Sequence, residues 1–141
     1  MREFFDTSVL VAAFLGDHPH HAASARLFAA AAKTRSCCGA HSLAEAYAVL
    51  TKLPLKPPIA PEQAMLFLND VHDRLTSVAL SPDEYYATIE RASRQAVAGG
   101  RLYDALLLRC AVKAKAETIY TWNIKDFQRL APDIADKIRT P

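Results

Sequence analysis

Short apolar segments suited to strands recur along the chain, each followed by one or more stretches patterned for helix, and this alternation leaves few architectures open. Residues 2–5 make an apolar start, and Asp6-Thr7-Ser8 supplies side chains that cap helices, which predicts a strand ending near Asp6 and a helix through Leu15. Gly16-Asp17-His18-Pro19 breaks that helix, an alanine-rich helix follows over 22–33 with Leu27 and Phe28 as its apolar anchors, and 35–39 reads as a strand. Ser42-Leu43-Ala44-Glu45 has the form of an S-x-x-E capping box, so the next helix is expected to start near Ser42 and stop before Pro54. Pro61 opens a helix to about 75, and 77–80 follows as a strand. Ser81-Pro82-Asp83-Glu84 repeats the capping signal for a helix over 82–98 that ends at Gly99-Gly100. A further helix from near Asp104 to Lys115, a strand over 118–122, a short helix after Asn123 and a polar tail to Pro141 complete the reading.

Parallel neighbours need right-handed crossovers, so strands separated by helices predict a three-layer α/β/α sandwich around a central parallel sheet. With 141 residues, about half of them hydrophobic, 1–141 is read as a single domain. Met1 is followed at once by a charged pair and no apolar run approaches membrane-spanning length, so a soluble cytoplasmic protein without a signal peptide is expected. Three cysteines, two of them adjacent at Cys37 and Cys38, suit neither a disulfide framework nor a zinc knuckle and are read as core residues, Cys110 included. A formal charge of only +2 advertises no basic tail, so any nucleic-acid contact must come from local arrangement.

In open parallel sheets the functional crevice lies beyond the carboxyl ends of the strands, where the next helices begin. Asp6, Glu45, Asp104 and Asp126 all fall at such places. Taken singly, each is explained by capping or by the helix macrodipole, worth roughly 0.3–1 kcal/mol apiece. Glu84 is read as a cap, and Asp17, Asp70, Asp73, Asp83 and Asp133 as loop or solvated-face acids. Were three or four carboxylates to converge, their repulsion would call for a neutralising cation, and a hard, oxygen-seeking ion such as Mg²⁺ suits that set. His18, His20 and His21 are read as a loop cluster, His72 as a surface residue, and Tyr47, Tyr103 and Trp122 as packing residues.

Phe4-Phe5-Asp6-Thr7-Ser8, Leu43-Ala44-Glu45-Ala46-Tyr47, Tyr103-Asp104-Ala105 and Thr121-Trp122-Asn123-Ile124-Lys125-Asp126-Phe127, in this order, resemble the signature of PIN domains. His18-Pro19-His20-His21 before an alanine-rich helix is similar to VapC-type toxins. The resemblance covers nearly the whole chain and implies a metal-dependent endoribonuclease, the toxin of a toxin–antitoxin pair, with Asp6, Glu45 and Asp104 as its acidic core. The fourth position lies in the 121–126 loop, where either Asn123 or Asp126 would complete the site, and Thr7, Ser8 and Thr121 would support it. Mg²⁺ is the implied cofactor, with Mn²⁺ also suited, in a one-metal or a two-metal cycle. Arg91, Arg94, Arg101 and Lys125 are candidates to border the acidic pocket against RNA phosphates. A cognate antitoxin protein, an RNA substrate and a homodimer are the implied partners. Two other readings remain. Asp6 after an apolar strand suits a phosphohydrolase of the haloacid-dehalogenase type, which expects a second Asp where Ser8 stands, and the same fold also serves as a non-catalytic binding module.

Overall fold

The computed structural model of the chain describes residues 2–141. Successive side chains of a strand point to opposite faces, and here that period of two divides the protein into two cores. From strands β1 (Glu3–Phe5) and β2 (Ser36–Gly39), Phe4 and Cys37 pack on one face with Leu107, Cys110 and Phe127, while Phe5 and Cys38 pack on the other with Leu10, Leu50 and Val71. The adjacent cysteines thus belong to different cores. All three thiols are buried and free, and burial pushes Cys37 to about 11, Cys38 to about 12 and Cys110 to about 11, so they stay protonated.

On the Phe5 side lie helices α1 (Thr7–Phe14), α2 (His21–Ala29), α3 (Ala40–Lys52) and α4 (Pro61–Arg74). Helices α6 (Arg101–Lys113) and α7 (Ile124–Leu130) cover the Phe4 side, with α5 (Pro82–Arg94) packed on α6. Between the layers runs a parallel five-stranded sheet in the order β3-β2-β1-β4-β5, where β3 is Thr76–Val78, β4 is Thr118–Tyr120 and β5 is Ile138–Arg139. The expected α/β/α sandwich is therefore the observed fold. The chain winds outward from β1 to β2 and β3, then returns past β1 to add β4 and β5 on the other side. The order reverses between β1 and β4, so the crevice of this sheet opens beyond Phe5 and Tyr120. Among the described residues no helix is long and apolar enough to cross a membrane.

Several boundaries differ from those expected. Helix α2 stops at Ala29 although alanines continue, because Ala31 is buried and the backbone turns at Ala32, whose carbonyl accepts from Arg35 and Ser36, to enter β2. Helix α3 begins two residues before Ser42, capped by the Gly39 backbone, so Ser42-x-x-Glu45 is not a capping box and Glu45 lies beyond the first turn. Ser42 is instead fully buried, and its hydroxyl accepts a 2.8 Å hydrogen bond from Thr7. Helix α5 ends at Arg94, and Ala96 and Gly99, with φ of 56° and 61°, turn the chain toward α6. Strand β3 starts at Thr76 and β4 ends at Tyr120. The tail read as polar forms a 3-10 helix (Pro132–Lys137) and then β5, because Ile138 completes the Phe4-side core.

At the end of β2 the sheet and α6 meet closely. Gly39 has an ordinary extended backbone, yet a Cβ there would stand 2.5 Å from Leu107 Cδ2 inside a packed core. Gly39→Ala is expected to lower stability by about 1–3 kcal/mol through overpacking, measurable by urea unfolding.

Glu84 is the cap the sequence indicated. It exchanges hydrogen bonds with Ser81 and reaches α6 to pair with Arg109 at 3.1 Å and Lys113 at 2.6 Å. The Lys113 ammonium and the Ser81 backbone N–H hold its carboxyl down at about 2, against 4.5 ordinarily. A depressed acid stabilises the folded state above its unfolded pKa and loses that contribution as pH falls through the folded one. Acid unfolding should therefore lose part of its dependence between pH 4.5 and 2 in Glu84→Gln, as read by circular dichroism.

Candidate active site

Beyond the reversal point the chain assembles an acidic cleft. Asp6 follows β1 and caps α1, and its carboxylate is almost wholly buried. Three donors converge on Oδ2: the Ser8 hydroxyl at 2.7 Å, the Thr121 hydroxyl at 2.8 Å and the Ser8 backbone N–H at 3.4 Å. Those hydroxyls are themselves fixed, since Ser8 Oγ accepts from the Trp122 N–H at 3.0 Å and Thr121 Oγ1 from the Asn123 N–H at 3.0 Å. The loop after β4 is thereby laced to the start of α1. Burial pushes the Asp6 carboxyl up, while the Ser8 and Thr121 hydrogen bonds pull it down.

The Thr7–Ser42 hydrogen bond ties the start of α1 to the start of α3, and Glu45 sits one turn further along α3. Asp104 lies in the first turn of α6, on the other layer. Asp6, Thr7, Ser8, Glu45, Asp104 and Asn123 all line one open cleft of about 560 Å³. Asp126, in the first turn of α7, is outside that lining but close enough to act on Asp104. Burial, then the charges of Asp6, Glu45 and Asp126, push the Asp104 carboxyl from 3.8 up to about 7, and Arg101 draws it partly back. Four acids from separate stretches of chain therefore share one electrostatic environment, with the Arg101 guanidinium beside them.

The donors gathered here are oxygens, which suits a hard divalent cation. Among the described residues no group of three or more His, Cys, Asp or Glu side chains lies close enough together to hold a metal ion. Of the other expected basic neighbours, Arg91 borders a separate groove of about 330 Å³ beside α6, and Arg94 pairs with Glu90 at 3.6 Å on the surface. His72 lies on the surface next to Asp73 as expected. Tyr103 is not a packing residue: it is 45% exposed and stacks on His41. Missing from the sequence reading was the role of His18, Pro19 and His20 as a wall of the cleft, since nothing local in that turn says what it leans on.

A PIN-domain family model matches residues 4–131. Ribonuclease VapC40 of Mycobacterium tuberculosis is 35% identical over 114 residues, 81% of each chain, and ribonuclease VapC27 of the same organism is 34% identical over 113 residues, 79% of this chain and 78% of that one. In fold the chain is similar to the crystal structure of Mycobacterium tuberculosis VapC20, described as a Sarcin-Ricin loop cleaving toxin, with a TM-score of 0.73 at 18% identity over 90% of this chain and 93% of that one. It is also similar in fold to VapBC2 from Rickettsia felis, solved bound to a DNA fragment from their promoter, with a TM-score of 0.67 at 21% identity over 100% and 99% of the chains. The chain belongs to the PIN-domain family, among the VapC-type proteins.

Proposed function

We propose that this chain is a metal-dependent endoribonuclease and the toxin of a toxin–antitoxin pair, using Mg²⁺ or Mn²⁺. The observation that carries the reading is the gathering of Asp6, Glu45 and Asp104 on one cleft at the switch point of the sheet, with Asp126 close enough to act on Asp104. Acids that served only as caps would have no reason to gather there, and a site that strains its own carboxylates is one that a cation relieves. The names of the two ribonuclease relatives support the same reaction class.

In this reading Asp6 and Asp104 hold the cation most directly, while Glu45 and either Asp126 or Asn123 complete the site through water. Bound there, the ion would supply an activated water and offset charge on the phosphate. Ser8 and Thr121 fix Asp6 in one orientation, so its carboxylate needs no rearrangement to bind. Arg101, beside Asp104, offers an incoming phosphodiester its positive charge. A small antitoxin and a second copy of the chain are the proposed protein partners, the first supported by the solved Rickettsia felis VapBC2 assembly.

Incubating the purified chain with cellular RNA should give discrete fragments in Mg²⁺ and none with EDTA. Cleavage of small phosphate esters but not RNA would replace this reading with a phosphohydrolase, and tight RNA binding without turnover would replace it with a binding module.

A further inference from the structure

We propose that His20, backed by Trp122, is a shelf on which an unpaired RNA base stacks beside the acidic cleft, an inference that rests on the ribonuclease reading. The two rings lie face to face, 3.7 Å between centroids and 8° from parallel, and both line the cleft with Asp6 and Asp104. His20 is exposed, so a ring resting on Trp122 by one face stands at the open side of the cleft.

The shelf is held firmly. Trp122 donates its indole N–H to the buried Ser24 hydroxyl at 2.9 Å. Its backbone N–H donates to Ser8 Oγ, which donates to Asp6 Oδ2, so two hydrogen bonds set its position relative to the catalytic carboxylate. The turn that carries His20 is closed by its own N–H on His18 Nδ1 at 3.0 Å, and the next residue is tied to α1 by a hydrogen bond between His21 Nδ1 and the Ala12 carbonyl oxygen at 2.9 Å.

The chemistry of the cleft explains why such a shelf is useful. Carboxylates repel a phosphodiester, and a formal charge of +2 over the whole chain offers little long-range attraction. Stacking on an aromatic face owes nothing to net charge and needs a base whose face is free, which selects single-stranded RNA. A base seated on His20 would set the adjacent phosphate at a fixed offset from Asp6. His20 is thus a positioning residue.

Trp122 is the only tryptophan in the chain, so its emission reports on the shelf directly. In an Asp104→Asn background with Mg²⁺, a mixed-sequence single-stranded RNA 10-mer should change that emission saturably, and the same length as duplex or with abasic positions should not. His20→Ala should weaken binding of the single strand about tenfold and His20→Phe should restore it. With Asp104 intact, His20→Ala should raise KM by a similar factor and leave kcat nearly unchanged. Silent emission, or single-stranded RNA bound as tightly by His20→Ala as by its parent, would overturn the shelf. Turnover with an unchanged KM in His20→Ala would sink the shelf and leave the ribonuclease intact. Shelf-dependent binding with no cleavage by the unaltered chain would do the reverse.

Discussion

Replacing Asp104 by asparagine is expected to abolish RNA turnover while making the metal-free protein more stable. For turnover, loss of a group proposed to hold the cation should cost at least about 10²-fold in kcat, the scale on which removal of an electrostatic element of a preorganised site is felt. The stability effect has a sign that can be worked out. Folding raises the carboxyl from 3.8 to about 7, so the folded chain binds that proton more tightly than the unfolded chain does. Its contribution to stability is complete below pH 3.8 and is lost as pH rises through 7. An asparagine keeps the shape and removes the charge, so the gain over wild type should be greatest above pH 7, on the order of 2–4 kcal/mol at low salt. On the proposed metal site, adding Mg²⁺ should narrow or reverse the difference, because only the unaltered site would gain its full binding energy from the ion. Thermal melts of both proteins at pH 5 and pH 8, with EDTA or Mg²⁺, test this. A variant that is inactive and also less stable at pH 8 without metal would show that Asp104 serves its helix rather than a shared acidic site.

The second large effect concerns the anchor of the loop after β4. Phe127 is fully buried in α7 against Phe4, Leu107 and Ile119, and its N–H donates to the Asn123 carbonyl at 3.1 Å. Phe127→Ala should cost roughly 3–5 kcal/mol and lower the melting midpoint by about 10 °C. Phe127→Leu, which keeps most of the volume, should cost less than about 1.5 kcal/mol. Because α7 also carries Asp126 and adjoins Asn123, activity should fall in Phe127→Ala even at temperatures where the protein remains folded. Equal activity per folded molecule in the two variants would separate the loop's position from catalysis.

Much of this architecture is written in local chemistry. The alternation of strand and helix, the two-residue period of Phe4-Phe5 and Cys37-Cys38, and the punctuation by Pro61, Ser81 and Gly99 each act over a few residues, so the parallel sandwich is legible in the sequence alone. The ordered acids were legible too, though only as candidates, since a carboxylate at the start of a helix has the same local signature whether it caps or binds. Ser42 and Glu84 show how little that signature decides. Both belong to S-x-x-E stretches, yet Glu84 caps and bridges to α6, whereas Ser42 is buried and bonded to Thr7.

What separated those two outcomes was which layer each helix packs against, a relation among residues far apart in the chain. The same holds for the tail, whose few apolar side chains become a fifth strand only because β4 presents an open edge. It holds for Asp104, whose carboxyl is strained by acids 98, 59 and 22 positions away in sequence that meet it only once the sheet reverses direction. Turn propensity, capping and periodicity therefore determined the elements and their order. Long-range packing alone brought His20 over Trp122 and put Asp6, Glu45 and Asp104 around one opening, because Coulomb and stacking forces depend on distances that only the folded chain defines.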